Sequence, residues 1–376
     1  MLLLALETSC DETAASVLEL NKETNSFRVL SNVVSSQIEI HSRWGGVVPM
    51  LAAREHLKNI FPVIQEALEQ SQRNFSQINL LAVTQGPGLI PALLLGVNAM
   101  KTLAYFSNLP LLGVHHVEGH FCANEIEKDN TGHFSSPAFP VLSLIVSGGH
   151  TQLILEKTPR QYVIVGQTLD DATGEAFDKV AKMLDLGYPG GPIVSQKALL
   201  ADKVIEKEKN PETKKAMQKL SFPRPMIKSA NLDFSFSGLK TSVLYFWQKL
   251  LLQNLSLSQQ EDWKIIICDQ FQKAAVDVLV QKSLLAVEKY QPQTFFLAGG
   301  VAANQALREA LQKNLEEKFP ALNFRRPRLD LCGDNAAMVA VAGGAQYLAL
   351  EKQNRLATLK ENWKNLSPDA NLKLSY

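Results

Sequence analysis

The sequence predicts an α/β fold built as two related halves. An apolar strand, a short polar turn and a second strand are written twice, about one domain apart, in LLLALETSCDETAASVLEL (Leu2 to Leu20) and LSLIVSGGHTQLILE (Leu142 to Glu156). In both, apolar alternation resumes after a turn of Thr, Ser, Asp, Gly or His, the signature of a hairpin. Aligning Thr13 with Thr151 superposes the two segments. Apolar strands also run into glycine turns and leave as helices, at Gly86-Pro87-Gly88 and at Gly299-Gly300, which is the crossover of an α/β layer. Length agrees, because 376 residues with 46% hydrophobic content supply two cores at roughly 150 residues per domain. The hairpin turns leave backbone N–H groups unpaired by the sheet and able to face a phosphate or oxyanion. A plain pair of structural hairpins is the alternative reading.

Along the first half, a strand over Phe27 to Ser35 is followed by the loop HSRWGGVVP and a helix from about Met50 to Glu69 at helical period. Strand Leu80 to Thr84 enters the GPG turn and a helix, Pro110 to Val114 is the next short strand, and the polar Glu125 to Pro137 reads as a surface loop. The second half repeats the plan. A helix over Thr173 to Leu184 stops at LGYPGGP, Lys203 to Lys219 reads as a charged insertion, and a long helix covers Asp262 to Tyr290. Strand Thr294 to Leu297 then enters AGGVAAN, and the last helix covers Asn335 to Leu350. The expected domains are residues 1–135, completed by the helix at about 335–352, then 136–334 with the helical insertion, then a polar tail at 353–376, read as mobile.

Composition sets the class. The four cysteines, Cys10, Cys122, Cys268 and Cys332, have no CxxC spacing and are too sparse for a disulfide framework, so a reducing cytoplasm is the expected setting and a zinc knuckle is excluded. No run of eighteen apolar residues occurs, and Glu7 interrupts the N-terminal apolar stretch too early for a signal segment, so no membrane role is expected. A net charge of +1 argues against a large nucleic-acid surface. Local basic candidates are Lys203 to Lys219, read as a solvated helical face, and Arg325, Arg326 and Arg328, for which binding and plain surface stand level.

The strongest chemical motif is His116-Val117-Glu118-Gly119-His120 after a strand. Histidines at i and i+4 share a helix face and can present two imidazole nitrogens to one divalent metal; an incidental pair is the competing reading. Asp334, opening the last helix, could complete a two-histidine, one-aspartate set, or could simply cap that helix. A metalloprotease is rejected, because a zincin needs its Glu directly after the first His, whereas Glu118 lies roughly 200° around a helix from His116. Phosphate-cradling candidates are SCDET, Gly86 to Gly88, Ser147 to His150, Tyr188 to Pro192 and Gly299 to Asn304, each of which is also an ordinary tight turn. For Asp178 the residues alone favour an ion pair with Lys182.

ETSCDET, HVEGH, IVSGGHTQL, DDATGEAFDKVAKMLDLGYPGGP, FPRPM, DFSFSGLKT, AGGVAAN and GDNAAM, in this order and over most of the chain, resemble the TsaD/Kae/Qri family of tRNA N6-adenosine threonylcarbamoyltransferases, on its bacterial TsaD branch. The resemblance implies the ASKHA fold of actin, heat-shock chaperones and sugar kinases, with two RNase H-like halves and a nucleotide cleft between them. It implies transfer of the threonylcarbamoyl group from threonylcarbamoyl-adenylate to N6 of adenosine 37 in tRNAs reading ANN codons, with release of AMP. Carried over motif by motif, His116, His120 and Asp334 match the ligands of one divalent metal, iron or zinc. Ile145, Val146, Ser147, Gly148 and Gly149 match the substrate-binding hairpin, Asp178, Gly191 and Asn304 match the positions holding the adenine nucleotide, and Asp11 and Glu12 match acidic residues at the reacting centre.

Two positions depart from the family pattern. Pro91 stands where a small residue is usual, and suits a first helical turn; Ser195 stands where an acidic residue is frequent, which weakens one ribose contact that the family pattern implies and leaves Ser195 out of the expected site. Partners implied are the tRNA, a TsaB-like paralogue packing through the N-terminal half and a TsaE-like P-loop ATPase. Tight, salt-sensitive tRNA binding by the isolated chain would contradict the expectation that a nearly neutral subunit needs that help. The competing functions are a non-catalytic nucleotide-binding scaffold, which has no need of His116, His120 and Asp334, and an ASKHA small-molecule kinase, which has no use for the His pair.

Overall fold

Leu2–Glu7 forms β1, and every one of its side chains is buried, because helices cover both faces of the sheet it centres. The computed structural model describes residues 1–134, 137–359 and 361–374. The chain divides into two compact units, residues 1–138 with 326–376, and residues 139–325. The boundary expected at 135/136 lies outside the described residues, and the boundary expected at 334 falls earlier. Arg328 explains the shift, since its guanidinium pairs with Asp330 and donates to the carbonyls of Glu127 and Lys128, fastening the segment to the first unit.

In the first unit, β2 (Glu12–Asn21) and β3 (Ser26–Ser36) continue antiparallel from β1, while β4 (Leu80–Gly86) and β5 (Leu111–His115) run parallel on its other side. With β6 (Thr131–His133) the order is β5-β4-β1-β2-β3-β6. Alternation divides the core: Leu2, Leu4 and Leu6 meet helices Pro49–Gln70 and Ile90–Ser107, and Leu3 and Ala5 meet helix Ala336–Lys352. Helix Ile90–Ser107 is long and apolar enough by composition to cross a membrane, yet Leu93, Val97 and Met100 on it are buried in this core.

Two expectations for the first unit are corrected. The Glu125 to Pro137 loop contains β6, paired with β3 at the sheet edge; three residues are too few for a readable period. The polar tail, expected to be mobile, is packed: Leu359 and Leu366 are buried, and Asn362 Nδ2 donates to the Leu111 carbonyl at 2.9 Å.

The second unit repeats the topology. Strands β7 (Val141–Val146), β8 (Thr151–Glu156) and β9 (Tyr162–Gln167) form an antiparallel meander, and β10 (Thr294–Ala298) and β11 (Asn323–Arg325) add in parallel, giving β11-β10-β7-β8-β9. Glu7 pairs with Ala14 as Ile145 pairs with Gln152, so the register of the two hairpins agrees with the Thr13 to Thr151 alignment. The charged insertion is the helices Ala201–Lys207 and Pro211–Lys219, and the long helix begins earlier than expected, at Leu257 behind a Ser256 capping box.

Candidate metal centre and substrate-binding turns

β5 ends at His115, and the next seven residues, His116–Cys122, form a short helix that carries both motif histidines. His116 Nε2 lies 3.5 Å and His120 Nε2 3.3 Å from the same Asp334 oxygen, Oδ1. The ligand atoms of all three lie within 4.8 Å of one another. Asp334 is not the helix cap: Asn335 fills that place, its Oδ1 accepting from Met338 N at 3.0 Å. Glu118 points the other way, accepting from Gln346 Nε2 at 3.1 Å on helix Ala336–Lys352, so no zincin-like base faces the pair.

The two imidazoles differ in support. His116 Nδ1 lies 3.3 Å from Glu7 Oε2 and 3.2 Å from Ser9 Oγ, and Glu7 in turn accepts from Thr84 Oγ1 and Ser9 N. A buried carboxylate behind the ring orients it and makes the opposite nitrogen a better donor. Burial pushes the His116 pKa down, but the carboxylates of Asp334 and Glu7 outweigh it and raise it to about 9. Burial likewise pushes Glu7 up, and the charge of His116 and its hydrogen bond bring it below its usual value. His120 is 2% exposed, and neither ring nitrogen has a hydrogen-bond partner among the described residues. An orphaned buried imidazole beside a second imidazole and a carboxylate is what a divalent cation of the zinc or iron type would satisfy.

The β1–β2 turn, residues 8–11, brings Asp11 and Glu12 to the same corner. Burial first, then the Asp11 and Asp334 carboxylates, push the Glu12 carboxyl well above its usual range. The same causes hold Cys10 as a thiol, which removes it as a nucleophile. Sequence reading missed the braces of this turn. His56, fully buried on helix Pro49–Gln70, sits 2.8 Å from Thr13 Oγ1 through Nδ1 and 2.9 Å from the Cys10 carbonyl through Nε2. Glu7 and Thr84 were legible only as polar residues inside otherwise apolar strands.

In the second unit, Ile145 and Val146 are fully buried strand residues, so at these two positions only backbone is available to a ligand. The turn after them is held by Ser147, whose Oγ accepts from His150 N and whose carbonyl accepts from Gly174 N. Gly174 opens helix Thr173–Met183, where a Cβ would fall 2.7 Å from the Ser147 carbonyl oxygen; its absence lets the helix N-terminus abut the turn. Gly148 and Gly149 are exposed beside that N-terminus, an arrangement of backbone N–H groups suited to an anion.

Asp178 accepts from Gly190 N at 2.7 Å, which ties its helix to the YPGGP turn. Gly191 faces open space. Asn304 caps helix Gln305–Lys318 through Oδ1, and its Nδ2 donates to Ser195 Oγ and Gln272 Oε1, both at 2.9 Å. Ser195, set aside as a departure, is therefore bonded to a predicted binding residue.

The sequence model of one protein family, described as TsaD, tRNA N6-adenosine threonylcarbamoyltransferase, matches residues 28–341. A protein of that description from Listeria monocytogenes serotype 4b (strain CLIP80459) is 46% identical over 347 residues, covering 92% of this chain and 92% of its own length. One from Bacillus subtilis (strain 168) is 44% identical over 352 residues, covering 94% and 91%. Among solved structures, HypF from T. kodakarensis superposes with a TM-score of 0.50 at 14% identity, over 93% of this chain and 48% of that one, a likeness of fold.

Proposed function

The chain belongs to the TsaD family and transfers the threonylcarbamoyl group of threonylcarbamoyl-adenylate to N6 of adenosine 37 in ANN-decoding tRNA, releasing AMP, and from that premise we propose how its residues divide the work. The family is metal-dependent, and the chain has a possible metal site in His116, His120 and Asp334. In our reading these three hold one divalent ion, iron or zinc. Once bound, the ion supplies Lewis acidity toward a phosphate or carbonyl oxygen. Glu7 fixes the His116 ring so that Nε2 faces the ligand set. His120, whose ring nitrogens make no hydrogen bond among the described residues, would be held by the same ion beside the Asp334 carboxylate.

In the transfer, a bond forms between N6 and the carbamoyl carbon, the bond from that carbon to the phosphate oxygen breaks, and AMP leaves with the electron pair. The proton lost by N6 goes to the Glu12 carboxylate, with Asp11 beside it. The elevated Glu12 pKa makes its ionised form a stronger base than an ordinary carboxylate. The nucleotide part of the donor is held by the second unit. Ser147, Gly148 and Gly149, with backbone of Ile145 and Val146, meet the phosphate; Asp178, Gly191 and Asn304 hold the adenosine.

A TsaB-like paralogue is the proposed partner of the first unit. Leu57 (67% exposed) and Phe61 (59%) on helix Pro49–Gln70, with the partly exposed Ile90 and Leu94 on the adjacent helix, leave apolar surface uncovered. A TsaE-like ATPase rests on the family resemblance alone. Four free cysteines suit a reducing cytoplasm.

The observation that carries this reading is the meeting of His116, His120 and Asp334 in a chain of this family. It is tested by incubating the purified chain with partner proteins, threonylcarbamoyl-adenylate and an unmodified ANN-decoding transcript. Threonylcarbamoyl adenosine should form, and should not form on a transcript carrying guanosine at position 37; equal labelling of both would overturn the reading.

A further inference from the structure

The last described residues of the chain lie against the footing of the histidine helix. Asp369 N donates to the Gln85 carbonyl at 2.9 Å, and Gln85 Nε2 donates back to the Ser367 carbonyl at 3.0 Å. Gly88 N donates to the Ala370 carbonyl at 3.3 Å. At Gly86 an added Cβ would land on the Asp369 carbonyl oxygen, so this segment's backbone takes the place of a side chain. The clasped loop in turn reaches the β1–β2 turn, where Leu89 N donates to the Ser9 carbonyl at 2.8 Å.

The same segment ends on His115. This residue is the N-cap of helix His116–Cys122: its Nδ1 accepts from Val117 N at 3.2 Å, while its Nε2 lies 3.0 Å from the Leu372 carbonyl. A ring nitrogen that accepts carries no proton, so the neutral ring bears its hydrogen on Nε2 and donates it to Leu372. Both ring nitrogens are therefore committed, one to each side. A helix of seven residues has little stability of its own, and its first residue, where fraying is greatest, is His116.

We propose that Ser367–Leu372 is a strap that sets the orientation of the histidine helix, with His115 as the positioning residue through which it acts. The strap lies beyond residue 341, where the family match ends. The proposal rests on the reading of His116, His120 and Asp334 as metal ligands. Groups that orient a ligand without touching the ion govern affinity by tenfold or more.

The test compares the full chain with a chain ending at Leu366, which keeps the buried Leu366 and removes the strap. It adds His115→Asn, which retains a good helix cap but cannot reach Leu372, the combination of both changes, and His116→Ala. The Zn2+ dissociation constant of each is measured by competition with a chromophoric chelator, beside thermal melting of the metal-free proteins. Strap removal and His115→Asn should each weaken Zn2+ binding on the order of tenfold. Their combination should be no weaker than either alone, because both cut one connection. Melting of His115→Asn should match the wild type; should the shortened chain melt early, His115→Asn carries the comparison. Wild-type affinity in both single variants, or additive losses, would overturn the strap. Equal Zn2+ affinity of the wild type and His116→Ala would instead overturn the ligand reading beneath it.

Discussion

At the candidate metal corner each imidazole has a different support, and that difference underlies the parts proposed for them. His116 leans on Glu7 and Ser9, while His120 has no hydrogen-bond partner among the described residues and meets only the Asp334 carboxylate at 3.3 Å, so one ring is held from behind and the other is not. Glu12 gives a prediction with a sign. Its folded pKa is raised above the ordinary 4.5, so the stability tied to its protonated form is present below 4.5 and is lost as pH rises through the folded value. Glu12→Gln should therefore melt with the wild type at acid pH and above it at neutral pH, while losing on the order of 10²–10⁴-fold in transfer rate. Melting curves across pH, with single-turnover rates, check both halves; a variant less stable at neutral pH would contradict the assignment. The residues alone left the His pair open as incidental and Asp334 open as a helix cap; the family motifs are what brought the three together in the sequence, and the structure places them within 4.8 Å of one another. His56 was not legible in the sequence, since a histidine at helical spacing among apolar residues looks like core until the Cys10 carbonyl and Thr13 are seen beside it.

Among the elements, the turn of the second hairpin depends on close approach. Gly174→Ala would drive a methyl into the Ser147 carbonyl and push the helix N-terminus away from the Ser147–Gly149 turn. The expected cost is about 1–3 kcal/mol of stability, with KM for the adenylate rising more than kcat falls. Denaturant unfolding and steady-state kinetics on the one variant separate the two effects. Strands β1 to β5, β7, β8 and β10 and most long helices were readable from period, down to the matched register of the two hairpins, whereas β9, β11 and helix Ser237–Leu251 were not named. The three-residue β6 was not, because its pairing is set by β3 and no period fits in so short a run. The tail was misread for a related reason: Leu359 and Leu366 sit singly in a polar stretch, and only the receiving surface makes them core.

At the scale of the whole molecule, one topology is used twice and the two copies have diverged in chemistry. Strand order β5-β4-β1-β2-β3 in one unit matches β11-β10-β7-β8-β9 in the other, yet the turn of the first is acidic and stands beside two histidines, while that of the second is glycine-rich. Helix Ala336–Lys352 returns to the first unit with Asp334 just ahead of its cap Asn335, which is why a carboxylate so far along the chain meets the His pair. The uncovered face should be the docking surface: Phe61→Asp should abolish co-elution with the TsaB-like paralogue without lowering the melting temperature, since the side chain is already exposed. The central claim, metal-dependent threonylcarbamoyl transfer at His116, His120 and Asp334, is tested most directly by single-turnover transfer to tRNA, comparing wild type and His116→Ala with adenylate binding measured in parallel. The account predicts that His116→Ala binds the adenylate as the wild type does and loses product formation by about a hundredfold or more. Product at the wild-type rate would contradict it.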